Sequence, residues 1–277
     1  MVRRLLIHLR FFRNLESLHQ RAMRTFLGVG KKTPIPALYG DIGWHRLISH
    51  RKRDIVRYWT KLYNMNNNRL TKRVFNWDYR KALEGKPSWN KEVKSILEAN
   101  NLTEVFYGLD VEAPKKVLKV LAAELEHSDN DQLQNQITSM PKLRTYKEIK
   151  LSPGTEYYIT SNMTRQNRSL LAKFRSGTFK INIELGRYKR LPVRERTCPW
   201  CPGEVEDERH FLLHCPSYRM EREVLLDVLQ RETGENPQTL EPQQMLYLLT
   251  NIKKLAKQLA QFLGNALNKR SDLLKQI

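Results

Sequence analysis

Apolar side chains recur every three or four positions along most of the first 140 residues, the pattern of amphipathic helices. A first helix that ends at Gly28 is predicted from a stripe of large apolar residues, namely Leu5, Leu9, Phe12, Leu15, Met23 and Phe26. After a break at Thr33–Pro36, Asp41 is a candidate N-cap for a second helix with apolar positions at Ile48, Ile55, Tyr58, Trp59 and Leu62. A third helix is expected between the turn at Asn66–Asn68 and about Leu83.

The pattern changes only in the middle of the chain. Phe179, Ile181, Ile183 and Leu185 alternate with polar residues, which predicts a strand over 179–185, and 156–160 is the other strand candidate. Helices are predicted for the remaining periodic segments, over 89–98, 115–139 with a break near 128–131, 169–175, 218–231, 242–250 and 252–275. The expected fold class is therefore mainly α, with helical N-terminal and C-terminal parts flanking a small α+β unit.

Four segments are predicted along this chain. They are a basic helical region over 1–85, a helical linker region over 86–140, an α+β unit over 141–225 and a helical tail over 226–277. At 277 residues the chain is long enough to bury a substantial core.

Charge is distributed unevenly along the chain, which carries a formal net charge of +20. Residues 1–80 hold 18 basic and 4 acidic side chains, and residues 141–200 hold 14 and 4, whereas the two remaining segments are close to neutral. Two basic blocks separated in this way favour a polyanionic partner over generally solvated surfaces. A membrane surface is disfavoured because no long apolar helix or lipidation signal accompanies the charge.

All three cysteines lie within 18 residues, in the pattern C-x2-C-x8-H-x4-C formed by Cys198, Cys201, His210 and Cys215. Three thiolates and one imidazole form a closed tetrahedral shell suited to one Zn²⁺, with no open position for catalysis, so the predicted role of the metal is structural. On an α-helix the five-residue step from His210 to Cys215 would leave the side chains about 140° apart, so the helix is expected to end or distort near Cys215.

Alternatives to this ligand set stay open in the sequence. His214 lies one helical turn from His210 and competes with it as the fourth ligand. A redox dithiol at Cys198 and Cys201, or three ordinary buried thiols, would also account for the cysteines. An odd, clustered cysteine count argues against a secreted disulfide scaffold and favours the reducing interior of a cell, in the nucleus or the cytoplasm.

RNA or single-stranded DNA is the expected partner, because aromatics and arginines occur without an obvious groove-reading helix. The predicted contacts are the basic residues of the second helix, those that lead into the cysteines, and one aromatic, namely Arg51, Lys52, Arg53, Arg57, Arg187, Lys189, Arg190, Arg194, Arg196 and Trp200. Trp200, between two ligands, either stacks on an unpaired base or covers the metal site as a hydrophobic lid.

Signatures of catalysis are missing from the sequence. It contains no phosphate-binding glycine loop and no adjacent pair of aspartates. The acidic cluster of Glu204, Glu206, Asp207 and Glu208 is interpreted as a solvated helix start. A non-enzymatic protein is therefore expected.

Three sequence stretches resemble the cysteine-rich tail of non-LTR (LINE-type) retrotransposon reverse transcriptases: Ser169–Arg175, Ile183–Tyr188, and Arg196–Cys201 followed by Glu206–Tyr218. Looser similarity to the segment before that tail covers Thr33–Pro34, Gly40–Gly43, Tyr58–Trp59 and Pro141–Lys147. Together the resemblance covers most of residues 15–225, and the cysteine block is its specific part.

The resemblance implies a nucleic-acid-binding region that lies downstream of a polymerase, whose catalytic aspartates are absent from this sequence. It implies metal ligation by Cys198, Cys201, His210 and Cys215, and an element-encoded polymerase as a further partner. The alternative is a structural or protein-interaction domain that docks on such a polymerase, with a purely structural zinc.

Overall fold

The computed structural model describes residues 2–110 and 112–276, with side chains from residue 15 onwards. Within these residues the protein is mainly helical with one small sheet, which confirms the predicted fold class. The contacts divide the chain into two compact units, 1–17 with 45–132 and 18–44 with 133–277. The segments predicted over 1–85 and 86–140 both contribute to the first unit, and the segments over 141–225 and 226–277 lie in the second.

Helices alone build the first unit. It contains most of α1 (Val2–Leu27) and of α7 (Pro114–Ser139), together with α3 (Leu47–Tyr63), α4 (Leu70–Leu83), α5 (Trp89–Glu98) and α6 (Thr103–Phe106). Its core centres on Trp59, which is fully buried, stacks on Phe106 and donates a 2.7 Å hydrogen bond from Nε1 to the side-chain oxygen of Asn90. The predicted break near 128–131 is wrong, since α7 continues through it.

The second unit combines helices of 4 to 19 residues with a two-stranded sheet. Its helices are α2 (Ile35–Ile42), α8 (Tyr146–Ile149), α9 (Tyr157–Thr160), α10 (Arg165–Arg175), α11 (Asn182–Tyr188), α12 (Arg219–Thr233), α13 (Pro242–Asn251) and α14 (Ala256–Leu274). The strands β1 (Thr197–Cys198) and β2 (Cys201–Val205) pair antiparallel. Its core joins α10, α12 and α14 through Leu171, Leu225 and Leu263, each at most 1% exposed.

Most predicted helices are present, with shifted ends. Helix α1 ends at Leu27 and is followed by Gly28 with a φ of 65°, as expected for a glycine that terminates a helix. The side chains of Leu5, Leu9 and Phe12 lie outside the described residues. The prolines of the expected break begin α2, because Pro34 and Pro36 occupy the N-cap and first turn, where no hydrogen-bonded N–H is needed.

Asp41 was expected to cap a helix, and that prediction is wrong. It lies within α2, fully buried, and its carboxylate accepts hydrogen bonds from the hydroxyls of Tyr146 (3.0 Å) and Tyr158 (2.6 Å) and from Arg175 Nε (3.2 Å). The second carboxylate near this guanidinium is Glu156, at 2.9 Å. A buried, hydrogen-bonded ion pair therefore ties α2 to α8, α9 and α10.

Both predicted strands are wrong as well. Residues 157–160 form the helical turn α9, and α11 begins at Asn182. The alternation at 179–183 reflects real burial, because Phe179, Ile181 and Ile183 are all at most 3% exposed. Phe179 and Ile181 lie in a bent connection with a 2.9 Å hydrogen bond from Ile181 N to Phe179 O, and Ile183 lies in α11 itself. Period-two burial therefore arises here without a partner strand among the described residues.

No helix in the described part of the chain combines the length and the apolar character needed to span a bilayer.

Candidate metal centre and basic surface

The β1–β2 hairpin places the first two cysteines. Cys198 and Cys201 pair across a turn made by Pro199 and Trp200, so their side chains leave the hairpin on the same face. Cys198 is 4% exposed, whereas Cys201 is half-buried.

A π-helical turn places the other two ligands. Asp207 Oδ1 accepts a 2.8 Å hydrogen bond from the backbone N–H of His210 and so caps the start of the helical segment. Residues His210–His214 then form a π-turn, closed by a 2.8 Å bond from Cys215 N to His210 O. A hydrogen bond across five residues widens the turn, so residues five apart lie on the same face. The expected distortion near Cys215 is thereby confirmed.

The four side chains converge on one point. Cys215 Sγ lies 3.8 Å from Cys198 Sγ and 3.9 Å from Cys201 Sγ, and the ligand atoms of all four residues lie within 4.8 Å of one another. With metal–sulfur bonds of about 2.3 Å, a tetrahedral centre separates its sulfurs by roughly 3.8 Å. The Cys198, Cys201, His210 and Cys215 cluster can thus hold a single metal ion.

His210 belongs to this cluster and His214 does not. His210 is 7% exposed, and its Nε2 atom is buried without a hydrogen-bond partner among the described residues. A buried, unpaired imidazole nitrogen beside three sulfurs fits a metal ligand, because a buried polar atom otherwise requires a partner. His214 is exposed at the end of the same turn.

The pKa values of the three cysteine thiols are shifted in opposite directions. A hydrogen bond from Cys198, with further help from His210, lowers the pKa of Cys215 to about 4. The same bond and burial raise the pKa of Cys198, and burial raises that of Cys201. The neighbouring Cys215 side chain raises the pKa of His210. The group therefore already stabilises one thiolate, which is the form that binds a metal.

A buried arginine holds the ligand-bearing turn in place. Arg222, 8% exposed on α12, donates 2.7 Å hydrogen bonds from Nε to Leu212 O and from Nη2 to Cys215 O. Leu212 O lies within the π-turn and Cys215 O directly follows it, and Cys215 O also accepts a 3.3 Å hydrogen bond from the backbone N–H of Tyr218. The guanidinium also brings a positive charge close to a cluster of thiolates.

Of the four acidic residues predicted to form a solvated helix start, Asp207 caps the helical segment and Glu204 is exposed, but the prediction is wrong for Glu206 and Glu208. Both are fully buried. Glu206 receives two 2.7 Å hydrogen bonds from Arg270 of α14, and Glu208 receives bonds of 2.6 and 2.7 Å from Arg144. These carboxylates link the metal cluster to the rest of the second unit.

Arg222 and Arg270 were not among the predicted site residues, although the sequence contains a signal for both. Arg222 shares the buried face of α12 with Leu225 and Leu229, and Arg270 continues the buried stripe of α14 that includes Leu263 and Ala266. A charged residue at an apolar position of a helical repeat indicates a buried, partnered charge.

The Trp200 side chain packs on the core of the second unit. It is partly buried against the core, meets the Tyr218 ring edge to face at 6.0 Å between centroids, and lies 6.0 Å from the Arg270 guanidinium. Part of the indole stays accessible, so the lid and the base-stacking roles of Trp200 both stay predictions.

The basic residues before Cys198 fall into two groups. Lys189, Arg190 and Arg194 are exposed and form no ion pair within the described residues. Arg187 pairs with Glu184 at 2.9 Å, and Arg196 donates to the carbonyl oxygens of Leu191 and Ile183. The first group is available to a ligand, and the second supports the local fold.

The basic residues of α3 are mostly paired. Arg57 lies 2.9 Å from Asp54, and Arg51 lies 3.7 Å from Glu92. Arg53 donates from Nη2 to His50 Nδ1 at 3.4 Å, and the half-buried Lys52 forms no ion pair in the described part of the chain. Exposed pairs of this kind are weak and can exchange for phosphate contacts.

Comparison with protein-family models, curated proteins and solved structures finds no match to this chain.

Proposed function

We propose that this protein is a zinc-dependent, non-catalytic nucleic-acid-binding module whose ligand is RNA or single-stranded DNA. The observation that carries the proposal is the closed cluster of three cysteines and one histidine, with unpaired cations on the segment that leads into it. A site that already presents four protein ligands suits structural Zn²⁺, because thiolate-rich tetrahedral sites favour zinc. The resemblance to the tail of LINE-type reverse transcriptases points to the same function.

In this proposal the zinc fixes the hairpin and the π-turn relative to each other. Lys189, Arg190 and Arg194 then present their charges to phosphate groups, and a pocket lined by Tyr188 and Leu191 opens beside them. Phosphate contacts release counterions, so affinity falls steeply as salt rises.

The test is a salt titration with a matched control. Replacement of Lys189, Arg190 and Arg194 by Ala should lower the affinity for a single-stranded RNA and reduce the slope of log K against log salt by about 2, since each single-strand contact contributes roughly 0.7. The control replaces three exposed lysines of equal total charge, Lys253, Lys254 and Lys257, and should leave the slope nearly unchanged. Equal effects of both triple variants would reduce the interaction to general charge attraction and contradict the proposed surface.

A second candidate, a protein-interaction domain that docks on a polymerase and uses zinc only structurally, is favoured by the position of Trp200. Its packing against Tyr218 leaves less of the indole for a base. Zinc binding without measurable RNA binding at low salt would favour this candidate over the first.

A further inference from the structure

The outer face of α4 exposes large apolar side chains in a line. Leu70, Val74 and Trp77 are 73%, 56% and 54% exposed. They are spaced i, i+4, i+7, so they share one face of the helix and extend over roughly 10 Å. Single exposed apolar residues are ordinary, whereas a contiguous stripe marks an interaction surface.

The core of the first unit does not require this stripe. Helix α4 already buries Phe75 and Ala82, 5% and 3% exposed, against α3 and α5. At about 100° per residue, Phe75 and Ala82 lie roughly 80–160° around the helix from the stripe. Helix α4 therefore has two apolar faces, and only one of them has a partner within the described residues.

A line of arginines runs beside the stripe. Arg69, Arg73 and Arg80 fall within about 40° of one another around the helix, next to the apolar line. All three are exposed, and none forms an ion pair within the described residues. The nearby carboxylates are engaged elsewhere, because Asp78 accepts hydrogen bonds from Asn90 and Glu84 pairs with Lys86 at 2.6 Å.

The lysines of α4 add little free charge. The Lys81 ammonium lies over the Trp77 ring, 3.6 Å from its centroid, and occupies one face of the indole. Lys72 turns inward, donating to the Tyr63 carbonyl, and lies 4.9 Å from the centroid of the Phe75 ring. The open surface thus combines a tryptophan, two aliphatic side chains and three arginines, which is the composition of protein–protein interfaces, where Trp and Arg are enriched and Lys is depleted.

We propose that the α4 face, defined as Leu70, Val74 and Trp77 with Arg69, Arg73 and Arg80, docks an acidic amphipathic helix of a partner protein. A stripe one helix wide fits the apolar side of a second helix packed along it. The unpaired arginines require carboxylates beside the partner's apolar residues. A polyanion would use the arginines and gain nothing from Leu70 and Val74, the most exposed aliphatic pair of the helix. This inference does not depend on the proposed nucleic-acid function.

The test measures binding of the full chain to a fluorescent synthetic peptide. The peptide, of about 18 residues, places leucines at i, i+4 and i+7 beside a line of glutamates, and its scrambled isomer has the same composition and charge. The wild-type chain should bind the patterned peptide at least about tenfold more tightly than the scrambled one. Equal binding of the two peptides would overturn the proposal.

Variants identify the surface. Leu70→Ser with Val74→Ser should weaken binding about tenfold or more, as truncated interface anchors do. The matched control is Met220→Ser with Val224→Ser on α12, an i, i+4 pair that is 67% and 65% exposed, and it should change affinity less than twofold. An equal loss in the control would refute the assignment to α4.

Charge reversal on α4 tests the prediction that the partner helix is negatively charged. Arg73→Glu with Arg80→Glu should abolish binding of the glutamate peptide and create binding of a counterpart with lysines in place of the glutamates, which a merely structural role would not produce. If the serine variant of α4 instead weakens binding to single-stranded RNA or to phosphatidylserine vesicles, and leaves peptide binding unchanged, the face belongs to nucleic acid or membrane and the proposal is wrong. Unchanged thermal midpoints confirm that all variants fold.

Discussion

Removal of the Arg222 guanidinium should weaken metal binding although Arg222 is not itself a ligand. Arg222→Met replaces the aliphatic part of the arginine side chain but removes the guanidinium. The Leu212 and Cys215 carbonyls then lose the donors that approach them at 2.7 Å. A buried acceptor that loses its partner costs about 1–3 kcal/mol. The complete loss at Leu212 O and the partial loss at Cys215 O, which keeps a 3.3 Å hydrogen bond from Tyr218 N, together cost about 2–3 kcal/mol.

That cost should appear in the metal affinity, because metal binding and folding of such a site are coupled. A loss of 2–3 kcal/mol corresponds to about 30- to 150-fold in the dissociation constant, close to the range of about 10- to 100-fold known for residues that orient metal ligands. The assay is competition for zinc between the full chain and a chromophoric chelator at fixed pH.

The control for this experiment lies three residues earlier on the same helix. Arg219 is 78% exposed and pairs with Glu223 at 2.9 Å, so Arg219→Met removes an arginine without touching the π-turn. Surface pairs contribute little, and this variant should change zinc affinity less than twofold. If the zinc affinity of Arg222→Met is also within twofold of the wild-type value, the hydrogen bonds of Arg222 do not hold the ligand-bearing turn.

Three further predictions concern the same unit. Purified protein should contain one equivalent of zinc by elemental analysis, and Cys198→Ser should lower both that stoichiometry and the thermal midpoint. Burial alone would raise the pKa of Glu184, but hydrogen bonds from Arg187 and Lys142 outweigh burial and lower that pKa. The ionised carboxylate therefore stabilises the fold at pH values above the ordinary pKa of a glutamate, and this stabilisation is lost as the pH falls. Chemical denaturation should show that Glu184→Gln destabilises the protein at pH 7 and that the difference from the wild type shrinks in acid. Trp200→Leu should lower zinc affinity more than RNA affinity if the indole acts as a lid, and the reverse order would support base stacking.

Local signals predicted the helices and the metal cluster well, because both depend on short-range patterns. The cysteine and histidine spacing identified four residues that the fold brings within 4.8 Å. Helical geometry also indicated that five residues between ligands required a distortion, which the π-turn supplies. The spacing could not decide between His210 and His214, because both lie on one helical face until the turn widens.

Long-range ion pairs explain what the sequence pattern got wrong. Asp41 has the side chain of a helix cap, yet its partners Tyr146 and Arg175 lie more than 100 positions later in the chain. A pattern of neighbouring residues cannot predict contacts over such a separation. The strand predicted over 179–185 failed for a related reason. Alternating burial there comes from packing against Phe211 and other distant residues, with 5.3 Å between the Phe179 and Phe211 centroids, rather than from a neighbouring strand.

The acidic residues near the cysteines show how a mistaken local interpretation changes the functional argument. As a solvated patch, Glu206 would repel nucleic acid beside the proposed binding surface. Glu206 is instead buried, the Arg270 guanidinium neutralises its charge, and the ion pair connects the hairpin to α14. Arg270 on the last helix therefore supports the metal cluster, while Lys189, Arg190 and Arg194 form no ion pair within the described residues. Because the Glu206 carboxylate is buried and paired with Arg270, it does not cancel the exposed positive charge that the proposed function requires.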